Sequence, residues 1–325
     1  MEPIKILIIR LSSLGDIIHT FPMVQDIKDN IKNVQIDWLV DANFRELVLI
    51  NKNIHTVYSI EFRKNKKNLK AILNEFNKLK NTLNAIKYDY IIDSQGLLKS
   101  AILTKLIRGK AFGFSYLSIK EKLATIFYNK TIEVEKNMKA VLRYRLLAKS
   151  IFEYNININE DINFGLNQLI EQQIAQKYII FFHSTSNNKK KYNFIESIKL
   201  LNNIITKYKI QIILPYGNVA EYNDAFKLKD RITNNEFIDI PDKIFTYNEI
   251  LELINKAFFI IGVDTGLIHL ANALNKKTIA IYNVTDPNRT GLIESKNAIN
   301  IGSKNLSPSS DLIFDIFENM IEDNK

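Results

Sequence analysis

The stretch that most limits how this chain can fold is Phe258-Phe-Ile-Ile-Gly-Val-Asp-Thr-Gly-Leu-Ile-His-Leu-Ala-Asn-Ala-Leu274, a buried strand running straight into a helix. Phe258 to Val263 is a continuous apolar run with β-branched and aromatic residues, as in a strand covered on both faces of a parallel sheet. Asp264 and Thr265 offer side-chain oxygens to cap a helix, Gly266 lets a ligand approach the backbone, and Leu267, Leu270, Ala271 and Leu274 mark one helical face. Free N–H groups and the positive end of the dipole point out of such a helix start, where open α/β sheets bind phosphates. Two readings stand: half of an anion site, or a capped turn with no ligand. His269, four residues past Thr265 on the same side of the helix, favours the site.

The chain opens in the same way. Ile4 to Ile9 is an apolar strand, and Arg10-Leu-Ser-Ser-Leu-Gly-Asp-Ile-Ile-His-Thr20 is the turn that leaves it for a helix. Ser12, Ser13, Gly15 and Asp16 have too little bulk and too many acceptors for a core segment. Capping is the commoner work of an Asp at such a place, whereas Gly15 beside it and His19 three residues on point to a site loop. Further strands are expected at Ile36 to Val40, Thr56 to Ile60 and Tyr90 to Asp93, separated by helical patterns near 20 to 31, 43 to 50 and 67 to 84. Strands alternating with helices predict a parallel, doubly wound sheet. Asp93-Ser-Gln-Gly-Leu-Leu-Lys99 repeats the order of strand, small polar loop and helix, so it brings Gln95, Gly96 and Lys99 to the sheet edge that carries Asp16. Arg63-Lys-Asn-Lys-Lys67 is a charge run in a connection, either solvated surface or a ligand contact. Helical patterns follow from Leu117 to Phe127 and from Met138 to Phe152, the second with Arg143 and Arg145 among apolar neighbours.

Tyr154-Asn-Ile-Asn-Ile-Asn-Glu-Asp161 is polar and has no helical stripe, which makes it the candidate linker between a domain of residues 1–160 and one of residues 161–325. After it the architecture starts again. A strand from Tyr178 to Phe182 ends in His183-Ser-Thr-Ser-Asn-Asn-Lys-Lys-Lys191, and a helix near 193 to 207 follows. A strand from Gln211 to Leu214 and the turn Pro215-Tyr-Gly-Asn218 lead to Glu221. Thr246-Tyr-Asn-Glu249 reads as a capping box, and a strand from Thr278 to Tyr282 delivers Thr285-Asp-Pro287. Each half thus begins with a strand and a hydroxyl-rich loop, as expected of an α/β protein with two Rossmann-like domains facing each other across a cleft. In the second half, hydroxyls, backbone N–H groups and a lysine suit a pyrophosphate, and a carboxylate suits ribose hydroxyls. That is a nucleotide-sugar site in outline; no G-x-G-x-x-G opens either half.

Charge separates the halves. Residues 1–160 hold 26 Lys and Arg against 16 Asp and Glu, while residues 161–325 hold 18 against 19. A basic half suggests an anionic partner, such as nucleic acid, an anionic membrane or a phosphorylated substrate, although abundant lysine in this Lys/Asn/Ile-rich chain accounts for part of the excess. With no cysteine, disulfides, thiolate nucleophiles and cysteine-based metal sites are excluded, which fits a reducing cytoplasm. No apolar run approaches the length of a membrane span, and Met1-Glu-Pro-Ile-Lys-Ile-Leu-Ile-Ile-Arg10 lacks a basic n-region and a cleavage site, so the chain is expected to stay in the cell.

Six segments, Ser12-Ser-Leu-Gly-Asp-Ile-Ile-His-Thr20, Asp93-Ser-Gln-Gly-Leu-Leu-Lys-Ser-Ala101, His183-Ser-Thr-Ser186, Leu214-Pro-Tyr-Gly217, Asp264-Thr-Gly-Leu-Ile-His-Leu270 and Thr285-Asp-Pro287, span nearly the whole chain. In this order they resemble the ADP-heptose:lipopolysaccharide heptosyltransferases, glycosyltransferases of the two-domain GT-B fold, and most closely the heptosyltransferase I group. The resemblance implies that Asp16 is the catalytic carboxylate, that Lys190 meets the donor phosphates, and that Thr185, Ser186, Glu221, Asp264, Thr265, Gly266 and His269 bind the donor. Ser13, Arg63, Lys64, Lys67, Gln95, Lys99 and Arg143 are the candidates to hold the acceptor in the first domain. Three departures stand out: Tyr192 where a tryptophan is usual, Asn283-Val284 where Gly-Pro usually precedes Thr-Asp-Pro, and Lys139 where a histidine is common. Three consecutive lysines also leave open which of Lys189, Lys190 and Lys191 meets the phosphates.

The implied reaction moves heptose from ADP-heptose, with inversion, to a hydroxyl of a 3-deoxy-octulosonate (Kdo) sugar on Kdo-lipid A of the lipopolysaccharide inner core. One general base serves the acceptor, and Lys190 and the helix start stabilise the leaving phosphate without a metal or other cofactor. Kdo carboxylates and lipid A phosphates would give the basic half its anionic partner at the inner face of the cytoplasmic membrane, with no role for nucleic acid. The competing readings are another GT-B enzyme, such as heptosyltransferase II or a nucleotide-sugar epimerase, and a basic non-enzymatic protein that binds nucleic acid or membrane. The last would show salt-sensitive binding indifferent to ADP.

Overall fold

Only Lys5 interrupts the apolar run Ile4–Ile9, and in the computed structural model this run is an inner strand, β1, with Ile6 to Ile9 fully buried. The structure describes residues 2–62, 64, 68–158, 160, 162–170, 178–185 and 187–322. Two compact units divide the chain, Met1–Leu166 and Asn167–Lys325. In the first, β1 is joined by β2 (Val34–Asp41), β3 (Thr56–Ile60), β4 (Tyr88–Asp93), β5 (Gly109–Phe114) and β6 (Lys130–Ile132) in a sheet of order β3-β2-β1-β4-β5-β6. Its helices are α1 (Leu14–Asn30), α2 (Arg45–Leu49), α3 (Leu69–Asn84), α4 (Leu98–Lys105) and α5 (Ala140–Phe152). All pairings are parallel, and Ile9 stands opposite both Leu39 and Asp93. Strand order therefore reverses between β1 and β4, the switch point where loops at the carboxyl edge diverge and leave room for a ligand.

The second unit repeats the plan. Its strands β7 (Tyr178–Phe182), β8 (Gln211–Ile213), β9 (Ile238–Asp239), β10 (Phe259–Val263), β11 (Thr278–Tyr282) and β12 (Ala298–Gly302) form a parallel sheet of order β12-β11-β10-β7-β8-β9. Its switch point lies between β7 and β10. The helices are α6 (Asn167–Ile170), α7 (Phe194–Tyr208), α8 (Val219–Arg231), α9 (Tyr247–Lys256), α10 (Gly266–Ala273), α11 (Pro287–Thr290) and α12 (Ser310–Glu322). Leu201 and Ile205 on α7 and Ile313 and Phe317 on α12 close one face of the sheet over Phe181, Phe259, Ile261 and Ile279. Gly262 lets β10 approach β7: a Cβ there would lie 2.6 Å from that of Phe182. The capping box expected at Thr246 is present, with Glu249 Oε2 accepting from the Thr246 N–H at 2.8 Å. Lys276 and Lys277 each donate to a carbonyl near a helix carboxyl end, Asn255 O on α9 and Met320 O on α12.

Several elements depart from the pattern reading. The helical pattern from Leu117 to Phe127 folds as a turn and a 3-10 helix, Lys122–Phe127, because the segment is the crossover between the parallel neighbours β5 and β6 and buries Ser118, Ile119 and Ala124 rather than a helical stripe. Strands β5, β6, β9 and β12 were not expected, being short or, as in Gly109-Lys-Ala-Phe-Gly-Phe114, diluted by glycine and lysine. Helix α1 begins at Leu14, well before the expected position near 20, because Ser13 and Asp16 form a capping pair at its start. Phe164 and Leu166 are buried in the first unit, and Asn51 Nδ2 donates to Phe164 O at 3.4 Å, which carries that unit to Leu166.

Candidate active site

At the switch point of the first unit, β1 and β4 aim their loops at each other. Asp93, buried at the end of β4, accepts from the Gln95 and Gly96 N–H groups on Oδ1 at 2.9 and 3.1 Å, and from Ser100 Oγ and Tyr128 OH on Oδ2 at 2.8 and 2.7 Å. Burial raises its pKa in spite of those donors. The turn it holds, with Gly96 at φ +66°, turns Gln95 back so that its Oε1 accepts from the Leu11 and Ser12 N–H groups at 2.9 and 3.1 Å. Gln95 thereby braces the loop that presents Asp16.

Asp16 stands in the first turn of α1, three residues after the N-cap Ser13. Its Oδ2 accepts from the Ser13 N–H and hydroxyl at 3.2 and 2.8 Å, so Asp16 is the partner of the cap and not the cap itself. Its Oδ1 faces Arg10 Nη2 and Tyr144 OH, each at 3.5 Å. Burial opposes the charge on Asp16, but Arg10, His19 and the Ser13 donors outweigh it and hold the carboxyl below the usual range. Arg10 is itself buried, with its guanidinium carbon 4.5 Å from the centroid of the Tyr144 ring; burial lowers its pKa against the pull of Asp16 and Asp93. Arg10, Asp16 and Tyr144 line a cavity of about 230 Å³ together with Gln95, Ser118, Lys120 and Arg143. Arg143 donates to Ser118 O at 2.6 Å and lies over the Phe114 ring.

Of the other acceptor candidates, Ser13 and Lys99 fall outside the described lining of this cavity. Lys64 is exposed and pairs with Glu61 at 3.0 Å. Arg63 and Lys67 lie outside the described residues.

In the second unit, Asp264 closes β10 and is buried. Its Oδ2 accepts from Lys190 Nζ at 2.7 Å and Thr285 Oγ1 at 2.6 Å, and its Oδ1 lies 3.7 Å from His269 Nε2. Burial raises its pKa, yet His269, Lys190 and Thr285 together bring it well below the usual carboxylate range. The expectation that Asp264 and Thr265 cap α10 through their side chains is not met: Thr265 is the N-cap by position but makes no side-chain cap bond, and the Asp264 carboxylate is engaged across the sheet edge. Backbone N–H groups at Gly266 therefore begin the helix beside a lysine. Thr185 Oγ1 donates to Asp264 O at 3.3 Å, which ties the β7 loop to the same point; Ser186 lies outside the described residues. Among the three lysines, Lys190 meets Asp264 and Lys191 meets Asp224 at 2.5 Å. Asn283 donates to Lys191 O at 2.7 Å and Tyr192 to Pro308 O at 2.9 Å, so two residues unusual for the motifs hold the lysine segment in place. Glu221, in the first turn of α8, accepts from the Gly217 N–H at 2.7 Å and closes the turn after β8.

Arg10, Lys120 and Tyr144 were not among the residues singled out as site candidates, and Thr285 was read as part of a motif without a role of its own. Arg10 left a signal, a charged residue ending an apolar strand; Lys120 and Tyr144 left none, since only folding carries them to the Asp16 loop. Among the described residues, no cluster of three or more His, Asp and Glu side chains could hold a metal ion.

Comparison with known proteins gives a consistent picture. The profile of glycosyltransferase family 9 (heptosyltransferase) matches residues 76–313. The chain is 31% identical to lipopolysaccharide heptosyltransferase 1 of Salmonella typhimurium over 295 residues, covering 88% of this chain and 90% of that one. It is also 31% identical to lipopolysaccharide heptosyltransferase 1 of Campylobacter coli, covering 91% and 88%. The solved structure of E. coli heptosyltransferase WaaC with ADP superposes with a TM-score of 0.87 at 27% identity, over 97% of this chain and 99% of that one. Two Rossmann-like units of the GT-B class, expected from the sequence, are thus the fold. The chain is a glycosyltransferase and belongs to glycosyltransferase family 9, the heptosyltransferases.

Proposed function

We propose that the protein transfers L-glycero-D-manno-heptose from ADP-heptose, with inversion, to a Kdo residue of Kdo-lipid A, building the lipopolysaccharide inner core at the inner face of the cytoplasmic membrane. The observation that carries this reading is Asp16, a carboxylate whose pKa is held low on the wall of a cavity where the other charged residues, Arg10, Lys120 and Arg143, are all basic. Such a wall suits a sugar acid bearing negative charge, and its carboxylate suits the hydroxyl that attacks. The acceptor oxygen forms a bond to the anomeric carbon, the bond from that carbon to the β-phosphate oxygen breaks, the hydroxyl proton passes to Asp16, and ADP leaves with the added charge. With a depressed pKa, Asp16 takes the proton late, as the new bond forms.

The second unit is the donor side. Lys190 and the N–H groups that open α10 neutralise the departing pyrophosphate, while Asp264 holds Lys190 in position. Thr185, Ser186, Thr265, Gly266 and His269 surround the same strand ends in the sequence, and Glu221 is the carboxylate for the ribose. Ser13, Gln95, Lys99, Arg143 and the run containing Arg63, Lys64 and Lys67 serve the acceptor, Gln95 by bracing the loop of Asp16. Mass spectrometry of a reaction containing ADP-heptose and Kdo-lipid A tests this: the acceptor should gain one heptose as ADP is released. An acceptor that gains nothing unless it already bears a heptose would point to a second-heptose transferase, and turnover of ADP-heptose without acceptor would point to an epimerase.

A further inference from the structure

The connection from β5 to β6 sorts its side chains into two sets. Ser118, Ile119 and Ala124 are buried, and Ser118, Ile119 and Lys120 form part of the cavity wall beside Asp16. Tyr116, Leu117, Leu123 and Ile126 face the other way and are 54, 65, 68 and 69% exposed. Scattered exposed apolar side chains are ordinary, but four large ones on a single short connection at the rim of a site call for a partner. Their backbone is firmly held. Arg143 donates to Ser118 O, Ser118 Oγ accepts from the Val134 N–H at 2.7 Å, and Glu121 spends its carboxylate on the Leu98 N–H at 2.7 Å. Lys122 Nζ lies 4.4 Å from the centroid of the Tyr116 ring, which sets a cation among the apolar groups.

Aliphatic tips, a tyrosine and lysines side by side match the boundary of an anionic bilayer, where apolar side chains enter the acyl region and lysines meet lipid phosphates. We propose that residues 116–126 form a membrane-docking surface that seats the protein on an anionic lipid leaflet with the mouth of the Asp16 cavity at headgroup level. An acceptor sugar then reaches Asp16 while its lipid stays in the bilayer; this last point rests on the heptosyl-transfer reading, whereas the lipid contact does not.

The test is co-sedimentation of the full chain with phosphatidylcholine vesicles with and without phosphatidylglycerol, for the wild type, the double variant Leu123→Ser/Ile126→Ser and Lys122→Glu. The wild type should bind the anionic vesicles. The double variant, altered only at exposed positions and so expected to keep its melting temperature, should bind them at least about tenfold more weakly, because each aliphatic side chain loses its transfer into lipid. Lys122→Glu should lose the preference for anionic vesicles. The double variant should show a raised KM for acceptor embedded in vesicles and unchanged turnover of a deacylated, water-soluble acceptor. Equal vesicle binding by wild type and double variant, or no binding by the wild type, overturns the proposal, as does a wild-type dimer that ignores vesicles and separates in the double variant. Vesicle binding that depends on Leu123 and Ile126, in a protein that transfers heptose to neither acceptor, would refute heptosyl transfer and leave the docking surface standing.

Discussion

Asp16 does two things with one carboxylate: Oδ2 completes the start of α1 through Ser13, and Oδ1 faces the cavity beside Arg10 and Tyr144. Asp16→Asn separates them, since an amide oxygen can still accept from Ser13 but cannot take a proton. Turnover should fall by about 10² to 10⁴, the usual worth of a general base, with an unchanged melting temperature and ADP-heptose affinity; a rate within a few-fold of wild type would reduce Asp16 to its helix role. On the donor side, Lys190→Ala should weaken ADP binding measured by calorimetry by about 1.5 to 3 kcal/mol, the range for a hydrogen bond to a charged group. Unchanged affinity would take Lys190 out of the phosphate site. The Asp264 carboxyl has a depressed pKa, so the stability it confers is fully present above the unfolded value of about 3.9 and is lost as pH falls through the lower folded value. The stability difference between wild type and Asp264→Asn in urea should be flat above about pH 4 and shrink only in more acid solution; a difference that grows on acidification would contradict the ion-pair account.

Both sites lie where a buried strand ends against a helix start, β1 before α1 and β10 before α10, at the switch points of their sheets. The placement depends on packing behind the loops. In the first unit a bidentate pair, Arg145 Nε and Nη2 to Asp26 at 2.7 and 3.0 Å, fastens α5 to α1, and both side chains are nearly buried. Burial raises the Asp26 pKa although Arg145 works against it. Removing one partner strands the other charge, so Arg145→Met should cost about 3 to 5 kcal/mol in denaturant titration, while Arg145→Met combined with Asp26→Leu should recover most of that. A double variant as unstable as the single one would show that the pair contributes more than mutual neutralisation. Since α5 also carries Tyr144 and Arg143, the single variant should lose activity before it loses its fold.

Over the whole molecule, positive charge is concentrated in residues 1–160, the part that carries the Asp16 cavity. Neutralising Arg63, Lys64, Lys66 and Lys67 together should raise the KM for the Kdo-bearing acceptor and leave that for ADP-heptose alone; equal effects on both substrates, or none, would return this run to solvated surface. Hydrophobic periodicity was enough to read two doubly wound halves, because strands covered on both faces must be nearly continuous apolar runs: Ile4–Ile9, Tyr178–Phe182 and Thr278–Tyr282 stand where their composition puts them. The Asp16 loop, the Gln95 loop, the lysine segment and Asp264-Thr-Gly266 were legible for a related reason, since small polar residues directly after such a strand have no place in a core. The partners of those residues were not legible. Tyr144 meets Asp16 from a helix 128 residues downstream, and the cavity depends on a crossover whose apolar residues imitate a helix although Leu117, Leu123 and Ile126 face outward. Local pattern reports which face of an element is buried against its sheet, whereas contacts between elements far apart in sequence exist only once strand order and crossovers have brought them to one edge.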